Sequence, residues 1–539
     1  MVFSSAVFLF AFLPLALALY YVVPARWRAA PLLLTSAVFY AWGEPVLVVL
    51  ILLTGLFTYS WGRLLAETER PGARRALLVV GIVVDLVPIA VFKYLDFVLV
   101  TVGLGRTAEN HHLPLPIGVS FYTFMAVGYL VDIYRRPDAG APRLLAFSGF
   151  LTMFPHLVAG PIVRWYDIGP QLEKPRFDPG LFGYGALRVS SGLVKKSVLA
   201  DSLAVEVDRL FATGAPTSTG AAWVGAVLYS LQIYLDFSAY SDIAIGLAAM
   251  LGIRFPENFR FPYVARSARE FWQRWHISLG SWFRDYLYVP LGGSRVGRLL
   301  LWRNLLVVWG VTGLWHGAAW TFVVWGLYFG VVIGLERSWY GDALARLPRV
   351  VQHAYGLLVA VVGWVIFRSS SLHQVGEYYR AMAGLGGRAW DASATYSLEQ
   401  TWVIVLLGVV LSAGAARPLM DRIERNMAGR AAGEGEAAPL DTAMASAPTV
   451  IALPRPRPRS PGPSSEGQGG VAQLERVGIT TEQLTVVVAS EAAAPEPEPR
   501  RRLGAGLAVG VTVLVAAFLA ITTAFVVSVS YSPFIYFRF

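Results

Sequence analysis

The sequence predicts an all-α, polytopic integral membrane protein. Three observations carry that expectation. Apolar runs of about 20 residues recur along the chain, each long enough to cross a hydrocarbon core of ~30 Å. Charged residues make up only 15% of the chain and mean hydropathy is +0.54, whereas a soluble domain carries about 25% charged residues. The basic residues fall between the apolar runs, as they do in the cytoplasmic loops of membrane proteins.

Taken in order, the candidate spans are 3–23, 31–42, 46–65, 76–102, 115–133, 144–159, 221–251, 299–314, 320–335, 355–367, 402–415 and 503–528. The first has no basic segment before it and no small-residue cleavage site after it, so it reads as a helix and not as a signal peptide. Several runs are short or interrupted by Gly and Pro, which predicts re-entrant and interfacial helices beside full crossings. Arg26 and Arg28 follow the first run, Arg63, Arg70, Arg74 and Arg75 the third, and Arg135, Arg136 and Arg143 the fifth. The turn at 43–45 carries only Glu44, and 105–114 is nearly free of basic residues. That alternation predicts a multi-pass protein of the cell membrane with its N-terminus extracytoplasmic.

Composition changes after the eleventh run. PRPRPRSPGPSSEGQGG and EAAAPEPEPRRR are rich in Pro, Ser, Gly and Glu and hold too few apolar side chains for a core. The expected organisation is a transmembrane core over 1–420, a disordered cytoplasmic linker over 421–502, and a last helix with an aromatic tail over 503–539. Arg500, Arg501 and Arg502 anchor that helix on the inside, which sends the C-terminus out.

The net charge of +10 therefore reads as a topology signal, not as a nucleic-acid footprint. The chain has no cysteine, which excludes a thiol nucleophile, a disulfide and a thiolate metal site. His111 and His112 are adjacent, but nothing else completes a metal site around them, so no metal is expected.

Two stretches concentrate the chemistry. FWQRWHISLGSWFRDYLYVPLGG fills 271–293 and GLWHGAAW fills 313–320. Ionisable groups are costly in a bilayer and mark function by default. Over 271–286 the spacing predicts one amphipathic interfacial helix. Trp272, Trp275, His276, Leu279, Trp282, Phe283 and Tyr286 fall on one face, and Arg274, Ser278, Ser281 and Asp285 on another. From the residues alone, His276 reads first as a structural histidine whose ring N–H bonds a carbonyl. His316 lies between Trp315 and Gly317, with glycines at 310, 313 and 317 letting a substrate or another backbone come close. A neutral imidazole there can accept a proton, and close helix packing is the competing reading. Asp236 and Asp242 sit in the apolar run LQIYLDFSAYSDIAIGLAAMLG, either as polar glue between helices or along a proton or cation path. Asp85 and Lys93 are also intramembrane, and two helical turns separate them.

Taken together, these stretches resemble the membrane-bound O-acyltransferase family. The likeness is to the branch of the alginate O-acetyltransferase and teichoic-acid D-alanylation membrane subunits. It is carried by LPIGVSFYTF (115–124), FPHLVAGPIVR (154–164), LQIYLDFSAYSDIAIGL, the stretch from FPENFRFPY to PLGGSR (255–295) and GLWHGAAWTFVVWG (313–326). It covers roughly 1–416 and the tail. The resemblance implies a helical funnel in which His316 is the catalytic base and His276 the accompanying motif histidine. It implies no bound cofactor. The co-substrate would be a cytoplasmic acyl thioester, acetyl-CoA or an acyl carrier protein, and the acceptor an extracytoplasmic polysaccharide hydroxyl. Trp315, Arg274 or a backbone N–H would steady the developing oxyanion, and Trp272, Asp236 and Asp242 complete the substrate-channel candidates. The tail SPFIYFRF (532–539) is similar to the aromatic motif that ends alginate-type subunits. In that likeness Tyr536 takes the acyl group and hands it to a separate extracytoplasmic transferase. The competing role for the tail is an aromatic belt anchoring the last helix. His156 stands where many relatives have Gln.

Two other readings compete. A glycan-precursor transporter or flippase would use broken helices and intramembrane acids, but no inverted repeat is evident. A scaffold would only recruit another transferase. The transporter reading predicts that His316→Ala leaves the function intact, and the scaffold reading predicts that the chain supplies complex formation and not turnover.

Overall fold

A computed structural model describes residues 1–104, 114–136, 142–212, 214–385, 387–415, 418 and 505–528. Among these the secondary structure is helical, with one isolated bridge between Ser218 and Arg388. Among the described residues, four helices are long and apolar enough to cross a bilayer: Val48–Glu67, Pro71–Thr101, Arg349–Arg368 and Ala392–Ser412. A fifth crossing is formed if Trp320–Glu336 and Trp339–Arg346, bent by 74°, count as one. Rows of large apolar side chains stand exposed on these helices: Leu52, Leu53 and Leu56 on one, Val79, Val83 and Val87 on the next, Leu406 and Val410 on another. Water would not tolerate surfaces of that size, and hydrocarbon does.

The helix Thr219–Met250 lies at the centre and is buried along most of its 32 residues. Ser218 starts it by accepting a hydrogen bond from the Ala221 N–H at 3.0 Å, a cap that satisfies one orphan donor of the first turn. It packs against Pro179–Val194, Asp201–Ala212, Arg349–Arg368 and Ala392–Ser412. The first of these contacts is backbone on backbone: a Cβ on Gly185 would meet the Gly246 carbonyl oxygen at 2.5 Å.

Most predicted spans recur with shifted ends. Two differ in kind. The run 144–159 is a nine-residue helix, Leu144–Thr152, turned at Met153 into the short Phe154–Leu157. Nine residues rise only about 14 Å, too short to cross a hydrocarbon core of ~30 Å. A buried helical stretch absent from the predicted spans runs from Pro179–Val194 through the π-helical Lys195–Ala200 into Asp201–Ala212. Its charges are matched inside the protein. Lys196 pairs with Asp236 at 3.0 Å, Lys195 with Asp242 at 2.5 Å, and Arg188 with Asp242 at 2.9 Å and Glu257 at 2.5 Å.

The predicted linker 421–502, the pair His111 and His112, and the tail bearing Tyr536 lie outside the described residues, and Ala505–Ser528 forms the last helix.

Candidate active site

The predicted amphipathic helix over 271–286 is broken in the middle. Ala268–Arg274 ends, Trp275 is extended, and His276 adopts a left-handed conformation (φ 45°, ψ 54°) before Ile277–Phe283 begins. A non-glycine residue there costs about 1–2 kcal/mol. The compensation comes from Asn258, fully buried in the preceding loop. Its backbone carbonyl accepts from the Ile277 N–H at 3.0 Å, and its side-chain Oδ1 accepts from Ser278 Oγ at 2.9 Å and the Ser278 N–H at 3.3 Å. Asn258 Nδ2 donates to Ser241 Oγ at 3.0 Å, which fixes the amide so that Oδ1 faces His276 Nδ1 at 3.1 Å. The His276 proton is therefore on Nδ1, and Nε2 carries a lone pair. That Nε2 is buried and has no hydrogen-bond partner among the described residues.

His316 is the last residue of the Arg298–His316 helix and is 5% exposed. The glycines beside it play different parts. A Cβ on Gly313 would meet the Phe322 carbonyl oxygen at 2.2 Å, so this glycine lets the helix touch Trp320–Glu336 directly. A Cβ on Gly317 would strike the Phe322 ring at 2.1 Å, whereas one on Gly310 has ordinary room at 3.8 Å. Around the imidazole, Trp325 and Phe367 stand edge-on at 4.9 and 5.2 Å between ring centroids.

Trp315 joins the two histidines. Its indole lies 4.7 Å from the His316 ring and 6.0 Å from that of His276. Phe124 stacks on its face at 5.4 Å and in turn on Trp282 at 4.0 Å, a layered support that holds the indole in place. Phe237 closes on His276 from the other side at 4.7 Å.

The end of the His316 helix is held by residues that sequence reading had not tied to it. Pro88 lies inside Pro71–Ile89, which passes into the π-helical Ala90–Tyr94. That local unwinding aims two side chains at the last turn of the neighbouring helix. Tyr94 Oη donates to the Leu314 carbonyl at 2.8 Å, and Lys93 Nζ to those of Trp315 and His316 at 2.6 and 3.2 Å. A cation suits a helix C-terminus, where carbonyls lack partners. Asp85, as its spacing from Lys93 required, pairs elsewhere, with Thr58 at 2.8 Å.

The other predicted site residues divide. Trp272 is in the aromatic cluster with its Nε1 buried and without a hydrogen-bond partner among the described residues, edge-on to Trp325 at 5.5 Å. Arg274 is engaged by Glu270 at 2.9 Å and by the Arg260 carbonyl at 3.2 Å. Asp236 and Asp242 form the ion pairs described above. His156 is buried against Phe255 at 5.3 Å. Asn258, Lys93 and Phe124 complete the site without having been singled out for it. An Asn between Glu and Phe in FPENFRF, and a lone Lys after Pro88 in an apolar run, were the available signals.

A neutral ring beside a second ring with an open lone pair, in a shell of aromatic side chains, can take a proton from a hydroxyl while excluding water. Comparison with known proteins agrees with that capacity. The sequence model of the membrane-bound O-acyltransferase family matches residues 19–367, a stretch containing every described site residue above. A probable alginate O-acetylase of Azotobacter vinelandii is 43% identical over 394 residues, 72% of this chain and 79% of the relative. A probable alginate O-acetylase of Pseudomonas aeruginosa is 40% identical over 453 residues, 82% of this chain and 86% of the relative. A peptidoglycan O-acetyltransferase of Helicobacter pylori is 32% identical over 429 residues, 72% of this chain and 80% of the relative.

Proposed function

The chain belongs to the membrane-bound O-acyltransferase family, and from that premise we propose that it moves an acetyl group from a cytoplasmic thioester to a hydroxyl of an extracytoplasmic polysaccharide. That it is an O-acyltransferase follows from the family. Acetyl and polysaccharide are supported by the relatives, three of which are named for O-acetylation of alginate or peptidoglycan. The observation that carries the mechanism is the pair of buried histidines resting on the Trp315 indole.

His316 takes the proton of the attacking hydroxyl as its oxygen adds to the thioester carbonyl. The tetrahedral intermediate collapses, the C–S bond breaks, and the proton passes to the leaving thiolate. His276, its Nδ1–H committed to Asn258, uses the Nε2 lone pair to accept a hydrogen bond and orient the reacting hydroxyl. A positioned base of this kind contributes about 10²–10⁴-fold in rate. The donor is acetyl-CoA or an acetylated carrier protein, used as co-substrate. The alternation of basic loops supports extracytoplasmic N- and C-termini, which sets the tail on the acceptor side. Tyr536 then either receives the acetyl group for relay to a separate extracytoplasmic transferase or belongs to an interfacial belt, while 421–502 serves as a cytoplasmic linker.

Glycan acetylation in cells lacking the gene, complemented with the wild-type, His316→Ala or Tyr536→Phe chain, tests this. Loss of envelope esters in both stably expressed variants supports base and relay. Loss only in His316→Ala assigns the acceptor sugar as the attacking hydroxyl. Normal esters in His316→Ala overturn the assignment of the base and bring back the transporter and scaffold readings.

A further inference from the structure

Two buried indoles of the aromatic cluster pair their N–H groups inside the protein. Trp282 donates to the Phe124 carbonyl at 3.0 Å and Trp364 to Tyr263 Oη at 3.1 Å. Trp325 does not. It is 0% exposed within Trp320–Glu336, and its Nε1 is buried without a hydrogen-bond partner among the described residues. An indole nitrogen only donates, and leaving a buried donor unpaired is costly. This N–H calls for an acceptor from outside the described chain.

The neighbouring rings fix where that donor stands. Trp364 lies nearly parallel to the indole, with 24° between planes and 6.1 Å between centroids. Phe367 closes on it edge-on at 5.0 Å, and Phe329 and Trp272 at 5.5 Å each. His316 completes the surround at 4.9 Å, with 84° between planes. Close packing on so many sides holds one rotamer, so the N–H is oriented before any substrate arrives.

Acyl transfer needs such a group. As the hydroxyl oxygen adds, the carbonyl π pair moves onto the acyl oxygen, and in a dry apolar shell that charge is met best by donors already in place. Other donors nearby are engaged. Arg274 is held by Glu270 at 2.9 Å and the Arg260 carbonyl at 3.2 Å, and Lys93 by the carbonyls that end the His316 helix. Trp315 lies between the two histidines, the place of the attacking hydroxyl, whereas Trp325 meets His316 from the next helix. The attacking oxygen and the acyl oxygen share one carbon, so a base and a donor on adjoining rings can serve both at once.

We propose that Trp325 is a catalytic residue whose Nε1–H donates to the thioester carbonyl oxygen and holds the oxyanion of the tetrahedral intermediate. On collapse the oxygen's electron pair re-forms the C=O bond, the C–S bond breaks with its pair on sulfur, and the proton held by His316 passes to the thiolate. The indole stays neutral throughout, so the site gains a donor without burying another charge. The assignment rests on the reading of His316 as the base, which locates the reacting carbonyl.

Replacing Trp325 in the full chain by 3-benzothienylalanine, which exchanges the N–H for sulfur and keeps both fused rings, tests it. The readout is the initial rate of labelled acetate incorporation into envelope glycan, in cells lacking the gene and at matched protein level, beside thermal unfolding of the purified chain in nanodiscs. The rate falls about 10²–10³-fold, the usual cost of removing one oxyanion donor. The unfolding temperature stays the same or rises, because the exchange removes a buried unpaired donor. At Trp364 the same exchange breaks the bond to Tyr263, lowering the unfolding temperature and leaving the rate within about threefold, since that bond supports stability and not the reacting carbonyl. Trp325→Phe, which also lacks the donor, falls at least as far as the benzothienyl variant. A loss below about tenfold at Trp325, an equal loss at both tryptophans, or a loss that follows unfolding overturns the assignment. His316→Ala separates it from the base: loss in both variants upholds both assignments, and loss in His316→Ala alone overturns only the donor. A normal rate in His316→Ala overturns the base and, with it, the placement of Trp325 at the carbonyl.

Discussion

Lys93 and His316 are joined across two helices by a single ammonium group. Its Nζ donates to the His316 carbonyl at 3.2 Å and to that of Trp315 at 2.6 Å. The carbonyls at the end of a helix carry its partial negative charge and lack intrahelical partners. A lysine in the bilayer is costly, and here its charge is answered by the helix end that carries the histidine. The position of the imidazole thus depends on a residue 223 positions earlier in the chain.

Lys93→Met, which keeps most of the length of the side chain and removes the donors, should lower acetyl transfer by about tenfold or more. Small misplacements of a catalytic group cost as much as about 100-fold. Turnover of purified protein in nanodiscs, beside its thermal unfolding, makes the check. Full activity in the Met variant would remove Lys93 from the positioning of His316.

Asn258 gives a second positioning test. Asn258→Ala removes the acceptor for His276 Nδ1 and for Ser278 and leaves buried donors unpaired, at about 1–3 kcal/mol each. The left-handed turn at His276 then loses its compensation, and both stability and turnover should fall. Asn258→Asp retains an acceptor facing Nδ1 and should keep more activity than the alanine variant. The reverse order would mean that Asn258 serves the loop fold alone.

The glycines of the His316 motif permit a paired comparison. Gly313→Ala places a methyl 2.2 Å from the Phe322 carbonyl oxygen, so the two helices must part. Gly310→Ala meets nothing closer than 3.8 Å, and alanine is favoured over glycine in a helix by about 1 kcal/mol. The first variant should unfold at a lower temperature and lose transfer, and the second should match or exceed the wild type. Equal behaviour of the two would show that helix contact is not what Gly313 provides.

The membrane character, most of the crossings and the two histidines were legible in the sequence because apolar runs and lone ionisable residues are local signals. The features missed are joined over long separations. Arg188, Lys195 and Lys196 make 179–212 read as polar, yet their partners Asp236, Asp242 and Glu257 come later in the chain, and together they can be buried. Aromatic residues at three- and four-residue steps mimic one helix through His276. The residue that breaks it, Asn258, lies 18 positions upstream and outside that window. Lys93 was visible as an intramembrane charge, but only tertiary packing identifies the helix end that answers it.

The ion pairs on the central helix separate polar glue from a transport path. In Asp242→Asn, Arg188 keeps both its bonds to Glu257, at 2.5 and 2.6 Å. Lys195 exchanges its carboxylate partner at 2.5 Å for an uncharged amide and keeps Ser238 Oγ at 3.2 Å. Stranding a buried cation costs about 3–5 kcal/mol, and the 21% exposure of Asp242 draws the expectation toward the lower figure. The double variant Lys195→Met/Asp242→Asn removes the stranded charge and should regain part of the lost stability. Thermal unfolding of the single and double variants in nanodiscs, with acetyl transfer at a temperature where all are folded, provides the measurement. Lowered stability with transfer retained identifies the pair as glue between helices. Loss of function at unchanged stability, uncorrected in the double variant, would instead place Asp242 on a path for the substrate or a proton.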